Sequence, residues 1–419
     1  MMGTADGVPP FDASLRSVAG LTPAATARPT SVPELVDVLR ATALSHPAVT
    51  VIGSGTKQHL GNPPTALDLA IDTRGLCGVV EYNPGDLVIR ARAGTSMGEL
   101  RDVVAEHGQQ LALDFGADET LGGVVAANLG GPRRRRYGAV RDLLIGVRFV
   151  LADGRIANSG GRVVKNVAGY DLGKLMTGSL GTLAVLAELT LRLHPGPGHR
   201  AVVELDAGLG AVGELAHWAL RTQHDLAALQ YRADLTGSGS LVAVVEGSEA
   251  VVAATIERLL GELAGAKVRP PVADDLRVRA GLAGYPEADS DSDTESGSAL
   301  VLRISCAPSG LPAVVHQIAR LAGPVGSGLA GEQSWQLGLG LGTVRLRGQV
   351  EELAAALTQL RTAVQELDGS VVVTDASPEA RAVVEVWGPI RGSALMRGVK
   401  DRFDPAGRLA PGRLIGGAT

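Results

Sequence analysis

Apolar residues in this chain cluster in runs of strand length, and glycine and proline cut those runs at short intervals. Val49–Ile52, Leu67–Ile71, Gly78–Tyr82 and Leu87–Ala93 each read as a strand, with turn residues such as Asn83, Pro84, Gly85 and Asp86 between them. Helical spacing begins at SVPELVDVLR (31–40), where Ser31 is the N-cap, Pro33 lies in the first turn and Glu34 holds the capping-box position. A second helix is predicted over Met97–His107. LLIGVRFVLADGRIAN (143–158) predicts a hairpin turning at Asp153-Gly154, with both residues at positive φ. A strand-like run ends at Val164, a polar and glycine-punctuated patch follows, and Leu183–Leu193 is apolar again. HPGPGH (194–199) breaks both periodicities and marks a domain boundary.

Beyond that boundary the pattern repeats. Ala201–Leu205 (strand), Ala211–Arg221 (helix), Ala227–Arg232 and Leu241–Gly247 (strands) and Ala250–Leu263 (helix) form one series. Leu300–Ser305, Leu311–Ala322, Trp335–Leu339, Gly342–Arg347, Val350–Leu367 and Ser370–Thr374 form another. Two β-α-β-β-α series predict a pair of ferredoxin-like halves sharing one sheet. The acidic, low-complexity stretch 288–298 is expected to be a disordered surface loop, and residues 1–30 a flexible arm.

With 419 residues, 45% hydrophobic and 20% charged, the chain has the length for two or three domains and the composition of a soluble globular protein. A net charge of −5 gives no support to nucleic-acid or anionic-membrane binding. The two cysteines, Cys77 and Cys306, stand far apart, which excludes a chain-borne iron–sulfur cluster or a four-cysteine zinc site; no metal site is expected. The amino terminus has no signal-peptide pattern, and no apolar run reaches the ~18 residues of a membrane span. The expectation is a cytoplasmic protein with no integral membrane segment.

Four glycine-rich segments fall in the first 200 residues: 53–56, 93–96, 120–128 and 165–181. One such segment is an ordinary turn. Four in a single domain imply a long ligand touched mainly by backbone, with N–H donors for a pyrophosphate and bare glycine surface for a ring system. The Rossmann pattern does not apply, because Gln58 stands where its third glycine belongs and LGNPP (60–64) stops any following helix.

TLGG (120–123), GPRRRRYGAVRD (131–142), VLADG (150–154), KNVAGYDLGKLMTGSLGTLAVLAELTLRL (165–193) and FDPAGRLAPGR (403–413) together resemble the VAO/PCMH-type FAD-binding family, and within it the glycolate oxidase FAD-binding subunit. The resemblance covers residues 31–197 and the C-terminal tail. It implies an α+β fold: a PCMH-type FAD-binding domain of two α+β subdomains over 31–197, a ferredoxin-like duplicated cap over 198–390, and a segment 391–419 that returns to the FAD domain. By the same resemblance Gly53, Ser54, Gly55, Thr56 and Lys57 form the pyrophosphate loop. Thr120, Gly122, Gly123 and Asn128 line flavin and phosphates, and Gly130, Tyr137 and Gly138 complete that wall. Gly178, Gly181 and Val185 hold the adenosine and ring regions, with Lys165 and Asn166 as further contacts.

Bicovalent members carry a histidine in the pyrophosphate loop. Thr56 is found here and neither cysteine lies in a matching motif, so the FAD is expected to be non-covalent. Arg133–Arg136 is read as a solvated loop, a neutralising group for the pyrophosphate, or a docking site for an acidic partner. Hydroxy-acid dehydrogenases of this fold carry a paired-histidine motif resembling HxGDGNxH in the cap; His199, His217, His224 and His316 are isolated instead, and no catalytic residue is named. Substrate-carboxylate cations are sought in Arg345, Arg347 and Lys400.

The resemblance therefore implies an FAD-binding subunit of a 2-hydroxy-acid dehydrogenase complex, partnered by a second flavoprotein and an iron–sulfur subunit and peripheral to the membrane only through them. A free-standing FAD oxidase or dehydrogenase of an alcohol, sugar or lactone, and a non-catalytic flavin-fold assembly subunit, are the competing readings.

Overall fold

Strand pairing divides the chain. The computed structural model describes residues 18, 20–161, 170–269, 298–321 and 328–414. Residues 1–17, Lys165, Asn166 and the acidic stretch 288–297 lie outside them. One unit comprises Met1–Leu129, Gly138–Gly196 and Arg391–Thr419; the other comprises Gly130–Tyr137 and Pro197–Ile390.

The first unit holds a parallel sheet in the order Ala25–Ala27, Leu69–Asp72, Val49–Ile52. It also holds an antiparallel sheet in the order Val79–Asn83, Val88–Arg92, Val185–Arg192, Leu144–Val150, Ile156–Gly160. Val49–Ile52 and Val185–Arg192 are almost fully buried, the latter with Glu188 and Thr190 among its buried residues. The helix Val32–Ala41 buries Val32, Leu35, Val36 and Leu39 against Leu69, Ile71, Val150, Val185 and Leu409. Ser31 caps it by accepting the Glu34 N–H at 3.3 Å. The Glu34 carboxylate does not return to Ser31; it accepts the Thr30 N–H and hydroxyl, each at 2.8 Å.

The 144–160 hairpin turns differently from the expectation. The Gly154 N–H bonds to the Leu151 carbonyl at 2.9 Å, and Gly154 alone has positive φ (+80°), while Asp153 does not. With Leu151 N–H bonded to the Arg155 carbonyl, this is the longer connection with a left-handed glycine, not a two-residue turn.

The second unit is a duplicated β-α-β-β-α-β fold. Its eight-stranded sheet runs Lys267–Arg269, His199–Asp206, Gly239–Gly247, Leu226–Asp234, Ala330–Gln336, Leu341–Gly348, Ser298–Ser305, Ser370–Ala376. Each half keeps the ferredoxin-like order, and the halves join antiparallel where Tyr231 pairs with Trp335. Helices Val212–Arg221, Glu249–Glu262, Leu311–Leu321 and Val350–Gln365 cover one face and bury Tyr231, Trp335, Leu302, Ile304, Val344 and Leu346. Side chains alternate along strands, so the other face carries Gln230, Arg232, Ser334, Gln336, Thr343, Arg345 and Arg303. That alternation also explains the misplaced strand: AGEQS (330–334) is mostly polar, and only the pairing with Leu226–Asp234 identifies Ala330–Gln336 as a strand.

Candidate functional site

The first unit contains a pocket of about 570 Å³, part of it open to solvent, lined in part by Gly53, Lys57, Gly122, Gly123, Gly181 and Arg413. Gly53 ends the Val49–Ile52 strand, and a Cβ there would lie 2.0 Å from Thr120 Oγ1. Only glycine lets the 53–57 loop meet Thr120. Thr120 is in turn the N-cap of the helix Leu121–Ala127 and accepts the Gly123 N–H at 3.3 Å. The helix is held from behind, because the Gly122 N–H donates to the Ala93 carbonyl at 2.7 Å and a Cβ on Gly122 would sit 2.9 Å from Ala93 Cβ. A Cβ on Gly123 would meet only Thr120 Oγ1, at 3.0 Å, and would otherwise enter the cavity.

The opposite wall is the turn 178–181. Gly178 and Leu180 N–H groups donate to Val125 and Ala126 carbonyls at 3.0 and 2.9 Å, which clamps the turn on the helix end, where Asn128 is the left-handed C-cap. Gly181 (φ +72°) leaves its nearest neighbour, Val51 Cβ, 3.8 Å from an ideal Cβ. Leu180 also lies at positive φ (+52°), an uncommon backbone for a leucine, and it lines the cavity.

Two cations line this space. Lys57 Nζ pairs with Glu119 Oε1 at 2.9 Å, with both side chains largely buried. Arg413, 3% exposed, donates to Gln58 Oε1 at 2.8 Å and to the Gln58 and Lys57 carbonyls at 3.0 and 3.3 Å. The tail that brings Arg413 here is fixed by Asp404, which accepts the Arg408 and Leu409 N–H groups at 3.0 and 2.7 Å. A cradle that a Cβ would fill, with two cations on its rim, fits the ring system and pyrophosphate of FAD.

Other predicted residues serve elsewhere. Ser54, Gly55 (φ +81°) and Thr56 form the turn after Gly53, and Thr56 is exposed. Val185 is fully buried in the core behind the strand, while its neighbours Ala184 and Leu186 line the cavity. Gly138 (φ +85°) is a tight turn over Asp142, whose carboxylate accepts the Ala139 N–H at 2.8 Å. Lys400 does not offer a substrate cation: its ammonium donates to the Thr182 and Leu409 carbonyls at 2.7 and 2.8 Å and to Asp404, and burial lowers its pKa. Sequence reasoning missed Gln58 and Arg413, although the latter ends a motif that carries the resemblance.

Gly130 and Tyr137 belong to the second unit. The Tyr137 hydroxyl donates to Glu246 Oε2 at 2.6 Å, and Arg200 pairs with the other oxygen of this buried carboxylate at 2.6 Å. Three of the four arginines follow: Arg133 lies 4.0 Å from Glu246, Arg135 donates to the Leu337 carbonyl at 2.9 Å, and Arg136 donates to the Glu246 carbonyl at 2.7 Å and pairs with Asp225 at 2.9 Å. Their contacts lie with residues of their own unit rather than in a loop held only by solvent. Burial lowers the pKa of Arg135. Among the described residues, no helix is long and apolar enough to cross a membrane.

Residues 23–160 match the family model described as FAD binding domain. The chain is 38% identical over 220 residues to glycolate oxidase subunit GlcE of Escherichia coli (strain K12), covering 51% of this chain and 60% of that protein. It is 26% identical over 437 residues to the uncharacterized FAD-linked oxidoreductase Rv2280 of Mycobacterium tuberculosis, covering 94% and 91%. A solved glucooligosaccharide oxidase from Acremonium strictum, described as holding 6-S-cysteinyl, 8 alpha-N1-histidyl FAD, shares the fold with a TM-score of 0.66 at 12% identity, over 92% of this chain and 89–90% of that one. The glycine-walled cavity lies largely within the matched residues, so residues 23–160 form an FAD binding domain, in a chain that is similar to FAD-linked oxidoreductases.

Proposed function

We propose that this chain is the FAD-binding subunit of a glycolate oxidase-type dehydrogenase complex that oxidises a small 2-hydroxy acid and passes electrons on through a second flavoprotein and an iron–sulfur subunit. The observation that carries the reading is the cavity walled by Gly53, Gly122, Gly123 and Gly181 with Lys57 and Arg413 on its rim, in a chain 38% identical over 220 residues to a glycolate oxidase subunit. Bound FAD supplies a two-electron acceptor. The chain's own residues hold it: the glycines admit the flat ring and the backbone amides, and Lys57 and Arg413 offset pyrophosphate charge. Gly138 and Val185 would then act on the cofactor through backbone and packing.

The FAD is non-covalent in this reading. The pyrophosphate loop offers exposed Thr56 at the position where bicovalent members hold histidine, and Cys306 lies in the second unit with a pKa raised by burial. Acid precipitation should release the yellow colour into the supernatant, and colour retained in the pellet would overturn this assignment. In the second unit His224 bonds to Glu262 at 2.9 Å and His217 to Arg221 at 3.3 Å, so both are engaged with side chains of their own unit. The isolated chain should accordingly turn over glycolate or D-lactate poorly, and a partner flavoprotein should restore activity. Stoichiometric bleaching of its own flavin by a 2-hydroxy acid without a partner would instead favour a free-standing enzyme.

A further inference from the structure

One largely buried ammonium joins two of the elements that line the glycine-walled pocket. Lys400 sits on the helix Ser393–Phe403, and its side chain is 21% exposed. Its Nζ donates to the Thr182 carbonyl at 2.7 Å, to the Leu409 carbonyl at 2.8 Å and to the Asp404 carboxylate. An ammonium has three N–H donors, so this one is fully committed. Asp404, whose side chain is fully buried, holds the tail in turn through the Arg408 and Leu409 N–H groups. All of these residues belong to the first unit.

The two carbonyls belong to segments that each carry pocket residues. Thr182 closes the turn 178–182, in which Gly178, Leu180 and Gly181 all have positive φ, and Leu180 and Gly181 line the pocket. A leucine in that conformation persists only where its surroundings over-determine it. Here the Gly178 and Leu180 N–H groups are tied to the Val125 and Ala126 carbonyls, and the Thr182 N–H and hydroxyl fold back to the Ser179 carbonyl at 3.0 and 2.7 Å. Lys400 takes the Thr182 carbonyl, where the chain leaves the turn. Leu409 begins the tail segment that reaches Arg413, four residues on, which lines the same pocket. We propose that Lys400 is a positioning residue for the cofactor, fixing the turn 178–182 and the tail 409–413 against each other so that Leu180, Gly181 and Arg413 are set before FAD arrives. The proposal rests on the assignment of the pocket to FAD.

The test compares Lys400→Met with Arg408→Met in the full chain. Arg408 belongs to the same tail, but its side chain bonds to the Leu39, Ala152 and His46 carbonyls and not to the turn. In the FAD-free chain, Lys400→Met should speed amide hydrogen exchange in residues 178–182, and Arg408→Met should not. FAD affinity, read by flavin fluorescence titration, should fall roughly 10- to 100-fold in Lys400→Met, the loss of one charge-assisted contact, and stay within about twofold in Arg408→Met. At saturating FAD the visible circular dichroism of the bound flavin should change in Lys400→Met alone. Far-UV circular dichroism reports folding; if Lys400→Met does not fold, Lys400→Gln, which keeps two N–H donors, carries the same comparison. Unchanged affinity, exchange or flavin dichroism in the Lys400 variant overturns the proposal, as do losses of affinity in both variants that scale with their losses of stability. Those outcomes leave the FAD reading standing, whereas no FAD binding by the unmodified chain overturns that reading and the proposal with it.

Discussion

At Gly123 one hydrogen atom separates a cofactor wall from a plug. The position is interior to the helix Leu121–Ala127, where glycine costs about 1 kcal/mol against alanine, so its presence asks for a reason. The reason is the open cavity in front of it. Gly123→Leu should abolish FAD loading while the protein stays folded, because the new side chain occupies ligand space and presses only Thr120 Oγ1. Flavin absorbance per mole and far-UV circular dichroism measure both halves, and unchanged stoichiometry would place this wall away from the cofactor. Tyr231 poses the opposite case in the second unit. It is fully buried, its hydroxyl has no hydrogen-bond partner among the described residues, and burial with help from nearby Asp234 pushes its pKa up to about 12. Between pH 10 and 12 the unfolded chain sheds this proton before the folded one does, so stability present below pH 10 falls as pH rises through that window. Tyr231→Phe removes an unsatisfied polar group and should leave the unfolding midpoint equal or higher at pH 8, with a shallower alkaline decline. A midpoint several degrees lower would show a bond to the hydroxyl.

Among elements, the C-terminal tail does more than its turn-rich sequence suggests. Arg408, 6% exposed, donates to the carbonyls of Leu39, Ala152 and His46, tying a helix end, a hairpin and a loop of the first unit together. Replacing it with methionine strands several buried acceptors, and the loss should be roughly 3 kcal/mol, read as a lower midpoint in urea. Arg413→Met should act differently, loosening the 57–58 backbone and weakening FAD retention with a smaller effect on the midpoint. Equal effects of the two changes on stability would contradict this division. What was legible in the sequence follows from locality. Ser31 and the Asp153-Gly154 hairpin depend on neighbours within a few positions, and the duplication depends on a repeated order of elements. The assignment of 130–137 to the second unit depends on Glu246, more than a hundred residues downstream, and the polar strand 330–334 depends on its pairing partner. Arg413 was hidden for the same reason: its partners lie at positions 57 and 58, and nothing local distinguishes it from a solvent-facing arginine.

Each of the two units is built on core residues of its own, and the reporters are unevenly divided between the units. Leu35, Leu39, Leu69 and Val185 belong to the first unit's core; Tyr231, Leu302, Trp335 and Leu346 belong to the second's. All three tryptophans, Trp218, Trp335 and Trp387, lie in the second unit, whereas the cavity assigned to FAD lies in the first. Heating can therefore be followed with one probe for each unit: indole fluorescence for the second, and release of flavin fluorescence for the first. A ligand that binds only the folded form stabilises by RT ln(1 + [L]/Kd), about 2.7 kcal/mol at a hundredfold excess over Kd. Excess FAD should therefore raise the flavin-release midpoint by several degrees and move the tryptophan transition less. Gly123→Leu should abolish that FAD-dependent shift and leave the tryptophan transition near its original temperature, since position 123 belongs to the first unit and the tryptophans to the second. Transitions that coincide and move together at every FAD concentration would show that the two cores unfold as one cooperative block, and would overturn the independence predicted here.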